Sequence, residues 1–198
     1  MLGAVSPTRG KAVNHSILPS LRPGAPRSLI AYGTADFEAA ISATAHGDLR
    51  AFMDYWQSKK IDDRPPLRTD IDPTEIPKLL PNVLLIDVVG DPAYDFHYRL
   101  LGTAVVAVDG IDYSGSMLSQ MVPRTDAYHL IWEHHLKAAA GSVALRYDSL
   151  RWSRDNSREH VDYLILLLPL RRNGDAIEVL FGYIHYVMDD APPGWQHL

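Results

Sequence analysis

The feature that most constrains this chain is its last third, where three strand-length runs, Val143–Trp152, His160–Leu170 and Ile177–Val187, follow in succession with no room for a crossover helix between them. Parallel neighbours need a connection of roughly a dozen residues or more, so links this short dictate antiparallel pairing. Asn173-Gly174, within Arg171–Asp175, is a hairpin turn signal, because both residue types tolerate the positive φ of tight hairpins. Two further strand-like runs lie upstream: Val83–Val89, bounded by Pro81-Asn82 and Gly90-Asp91-Pro92, and its partner Phe96–Leu101. Between the two groups stands a helix over Thr125–Ala139, in which Tyr128, Ile131, Trp132, His135 and Leu136 share an inward face. Strand, strand, short helices, long helix and three strands make the class α+β.

Residues 1–28 carry scattered Pro, Gly, Ser and basic residues without an apolar period and read as a flexible extension. Residues 29–47 read as an N-terminal helical segment, capped by Thr34 and running to Thr44; 48–189 form the principal domain and 190–198 a tail. Asp48 is placed to cap a helix whose Leu49, Phe52, Met53 and Trp56 fall on one face. From Pro65 to Pro77 repeated prolines forbid a long helix, and Asp72-Pro73 reads as the N-cap and first position of a single turn. In that stretch Arg68 is expected to neutralise Asp70 as a structural clasp. Gly102 and Thr103 open a short helix over Ala104–Val108, and Gly110 and Gly115 punctuate the passage to Met117, Leu118 and Met121.

At 198 residues the chain has room for one core and some extra. Its longest apolar run, Tyr163–Leu170, falls far short of the ~20 residues a membrane helix needs, and the N-terminal residues lack a secretory pattern; a cytoplasmic protein with no membrane partner is expected. Cysteine is absent, which excludes disulfides, thiolate metal sites, cysteine nucleophiles and cysteine-linked chromophores. A net charge of -5 with scattered basic residues offers no field for phosphates, so nucleic acid is not expected as a partner. No phosphate loop, Gly-x-Ser-x-Gly, His-Glu-x-x-His or dinucleotide fingerprint occurs, and the expectation is that the chain is not an enzyme.

The stretch Leu67-Arg68-Thr69-Asp70-Ile71-Asp72-Pro73 through Ile76-Pro77 and Leu80-Pro81 into Val83–Asp87 resembles stand-alone single-domain PAS family proteins of alphaproteobacteria. Phe96–Thr103, Gly110-Ile111-Asp112-Tyr113-Ser114-Gly115, Leu168-Pro169-Leu170 and Gly174 continue the likeness, which covers roughly Asp48 to Asp189. The resemblance implies a five-stranded antiparallel sheet with helices packed on one face, an N-terminal helical extension that serves as a dimer contact, and a role in sensing or signalling. No effector domain is recognised after the last strand, so output would pass through a homodimer or an unidentified signalling protein. A ligand-free protein–protein interaction module is the alternative.

On that reading the candidate cavity lies between helices and sheet and takes a small, largely apolar ligand. Tyr128, Trp132 and His135 line it from the long helix. Arg146 and Trp152, which share a face of their strand, and Phe181 and Tyr183, which share a face of the last, line it from the sheet. Aromatic residues at helical spacing are more often packing than ligand contacts. A buried Arg146 needs an anionic partner, either a carboxylate ligand or a structural acid such as Asp148 or Asp162. No cofactor is required by the sequence. The resemblance to haem-binding PAS domains makes His135 the candidate axial ligand, with the adjacent His134 pointing away. His129 and His134 are badly spaced for a shared metal, and no metal site is expected.

Overall fold

A computed structural model describes residues 30–42, 46–90, 95–121, 126–150 and 161–187. Strand β1 (Ile30–Tyr32), helix α1 (Thr34–Ser42) and helix α2 (Gly47–Ser58) precede three single 3-10 turns. There follow the strands β2 (Val83–Val89) and β3 (Asp95–Leu101), helix α3 (Thr103–Asp109), the short β4 (Ser116–Met117) and α4 (Leu118–Met121), the long α5 (Asp126–Ala139), and β5 (Ala144–Leu150), β6 (Val161–Arg171) and β7 (Ile177–Val187).

The strands form one sheet in the order β1-β5-β6-β7-β2-β3-β4 with every neighbour antiparallel. The five long strands are the five expected, and β1 and β4 extend the two edges. Gly174 takes φ 76° in the β6–β7 turn, the left-handed conformation that the Asn-Gly signal requires.

Both faces of the sheet are covered. On the inner face, Val105 of α3, Leu118 of α4 and Tyr128 and Ala138 of α5 pack on Leu84, Ile86, Phe96, Ile165, Leu167 and Leu180. On the outer face the N-terminal extension and the proline-rich lead-in pack Phe37, Leu49, Phe52, Met53, Trp56, Ile71 and Ile76 onto Leu85, Leu166, Leu168 and Phe181. The expected one-sided helical layer is thus α3–α5, and the extension forms a second layer. Phe52 lies 4.3 Å from the Phe181 ring and 5.0 Å from Tyr183, and Trp56 donates its indole N–H to the Pro169 carbonyl at 3.0 Å.

Two local expectations are corrected. Asp48 sits inside the first turn of α2 with His46 at the cap, because its carboxylate is drawn to the sheet by Tyr183 and His185. Asp70 accepts the Leu67 N–H at 2.8 Å, while Arg68 reaches the Ile71 carbonyl, so the clasp is side chain to backbone, not Arg68 to Asp70. Asp72 caps its turn as expected, accepting the Thr74 N–H at 2.9 Å.

Candidate functional site

The inner face beneath α5 buries a set of polar side chains. Strand alternation turns Ala144, Arg146 and Asp148 of β5 the same way, and with it comes Tyr163, which pairs across to Asp148 on β6. Arg146 is 3% exposed and its guanidinium donates to the Asp148 carboxylate and toward the Tyr163 oxygen at 3.4 Å. Arg146 therefore has a structural acid of the kind its burial demanded, Asp148, while the Asp162 side chain lies outside the described residues. Burial drives the Tyr163 phenol upward and keeps it neutral. Beside Tyr163 on the same face, its cross-strand partner Tyr186 donates to Asp109, at the end of α3, at 3.0 Å, and desolvation raises the Asp109 carboxyl to about 6.

Tyr128, Trp132 and His135 all lie on the sheet side of α5, as the helical spacing predicts. Trp132 meets Phe96 edge-on at 5.4 Å and Tyr128 at 5.4 Å, and His135 lies 4.9 Å from Phe96. His135 does not suit axial ligation of haem. Its Nδ1 lies 2.7 Å from the Ile131 carbonyl, which can only accept, so Nδ1 carries the proton. Its Nε2, 2.8 Å from the Tyr98 oxygen, then receives that hydroxyl, and neither ring nitrogen is left for iron. Burial lowers His135 to about 4, so the imidazole is neutral.

His134, expected to point away, is fully buried. Its Nε2 lies 3.0 Å from the Ala144 carbonyl of β5 and donates to it, since a carbonyl can only accept. Its Nδ1 is left as a bare acceptor with no hydrogen-bond partner among the described residues, and the same holds for the Arg146 Nε–H donor. Burial and the charge of Arg146 hold the His134 imidazole well below its ordinary value.

Phe181 and Tyr183 do not join this group. Alternation along β7 sends them to the outer face, against α2, while Leu180, Ile184 and Tyr186 face α3–α5. There Tyr183 donates to Asp48 at 3.0 Å, His185 Nδ1 lies 2.6 Å from the same carboxylate oxygen, and the His46 ring stands 4.3 Å from His185. Trp152 lies outside the described residues. The inner-face residues that sequence reasoning missed are Tyr98, Asp109, His134, Tyr163 and Tyr186. The unbroken apolar run Tyr163–Leu170 was the available signal, since a strand buried on both faces loses the alternation of a half-exposed one. Among the described residues no group of three or more His, Asp or Glu is placed to hold a metal, and no helix is long and apolar enough to cross a membrane.

A family model described as PAS domain matches residues 44–185. Among solved structures, one described as an RNA-binding light-oxygen-voltage receptor is similar at 13% identity and a TM-score of 0.38, covering 63% of this chain. This chain spans about a third (36%) of that receptor chain. No curated protein matches the chain in sequence.

Proposed function

The chain belongs to the PAS domain family, and we propose that it is a non-enzymatic cytoplasmic sensory or signalling-adaptor domain that takes a small ligand under α5 and reports through α1 and α2. The observation that carries this reading is the double attachment of β7. Its consecutive residues His185 and Tyr186 bind helices on opposite faces, His185 to Asp48 of α2 and Tyr186 to Asp109 of α3. A ligand that binds one arrangement of the inner face better than another would shift Tyr186, and with it the seat of α2. A homodimer built on the N-terminal helices, or a signalling protein docking there, is the output.

The test is native mass spectrometry of the full chain with hydrogen exchange on α2. A co-purifying mass whose removal speeds or slows exchange in residues 48–58 supports the sensor. A dimer with no added mass, and α2 exchange indifferent to anything bound, favours the ligand-free interaction module. The close ring contacts of Phe96, Tyr128 and Trp132 support that second reading, because aromatic rings packed against one another under a helix are ordinary core packing.

A further inference from the structure

The two unpartnered atoms on the inner face are complementary, and their surroundings specify more than the presence of a ligand. His134 Nδ1 is an acceptor with no donor and Arg146 Nε–H a donor with no acceptor, on side chains 0% and 3% exposed. A buried polar group left unpaired bears its full desolvation cost, so two of opposite sense on one face point to something that satisfies both. Both side chains meet the same stretch of β5: His134 bonds the carbonyl of Ala144, two residues before Arg146 on the same face, and the Arg146 charge acts on the His134 ring. The charge on Arg146 itself is matched by Asp148, and Asp109, a further acid described on this face, is held by Tyr186. His134, His135, Tyr98 and Tyr163 are all held neutral by burial. An anion arriving here would meet a guanidinium already neutralised, and a purely apolar molecule would leave both atoms unsatisfied.

We propose that the ligand site under α5 is built for a neutral group that donates and accepts at once, an amide or a hydroxyl, donating to His134 Nδ1 and accepting from Arg146 Nε–H. This rests on the sensor reading and replaces its largely apolar ligand with one carrying a polar head. The remainder of such a ligand would lie against the Phe96 and Trp132 rings.

Three matched probes separate the possibilities: benzamide, benzoate and toluene, titrated into the full-length chain by calorimetry. The expected result is that benzamide binds with a Kd at least tenfold lower than either of the others. Replacing the ion pair by apolar residues of similar volume, Arg146→Met with Asp148→Leu, should erase that preference while circular dichroism shows the fold retained. Toluene binding as tightly as benzamide, or benzoate binding tightest, overturns the inference and leaves the sensor reading standing. Binding of none of the three also overturns it, the two atoms then being bridged by water; the sensor reading falls with it only when the purified chain carries no co-purifying mass.

Discussion

Arg146 shows how one residue's burial decides its partners. A guanidinium under a helix must be matched, and the acid two positions along the same strand is the nearest group that alternation can turn toward it. Removing one member of such a pair strands the other. Arg146→Met alone is therefore expected to lower unfolding free energy by about 3–5 kcal/mol, and the Arg146→Met, Asp148→Leu double variant to recover most of that loss, read by urea denaturation. His135 makes a second prediction at this scale. Its imidazole is lowered to about 4, while an unfolded histidine titrates near ~6.5. Above pH ~6.5 both states hold it neutral and its contribution is fully present. As pH falls toward 4 the unfolded chain takes up a proton that the folded one refuses, and stability is lost, on the order of 3 kcal/mol across the window. A His135→Phe protein should show a shallower fall over that range, and an unchanged slope would contradict the burial argument.

At the scale of elements, α2 is the clearest case of a helix whose sequence was readable and whose destination was not. Leu49, Phe52, Met53 and Trp56 announced one apolar face, and all four are buried. Nothing in their spacing said which surface receives them. Phe52→Ala, which empties a site between Phe181 and Tyr183, is expected to cost about 3–5 kcal/mol. If α2 were an exposed arm and not a structural layer, the cost would fall below 1 kcal/mol. The paired strands were legible for a simpler reason: Val83–Val89 lies between Pro81-Asn82 and Gly90-Asp91-Pro92, Ile177–Val187 follows the Asn173-Gly174 turn, and the structure begins both strands there. The face that each residue of β7 presents required knowing that helices cover the sheet on both sides, so Phe181 and Tyr183 were grouped with α5 when they meet α2.

At the scale of the whole molecule, the interior strand β6 is buried from Tyr163 to Leu170 on both faces, which makes the inner and outer layers halves of one core sharing a sheet. Unfolding should then be a single transition: tryptophan emission and far-ultraviolet circular dichroism are expected to give the same denaturant midpoint. Separate midpoints would mean that the N-terminal layer detaches independently, and that β7 does not couple the two faces. By itself the sequence determined the α+β class, the antiparallel pairing of consecutive strands, the turns, the long helix and the family resemblance, because these follow from local periodicity and from the backbone limits of Gly and Pro. The tertiary structure alone decided that α1 and α2 close the outer face, that Asp48 binds Tyr183 and His185 of β7 from inside the first turn of its helix, and that His134 faces inward on the side of β5 that carries Arg146. Each of those depends on which distant surface a side chain meets, and periodicity along a chain carries the direction a side chain points without naming what waits there.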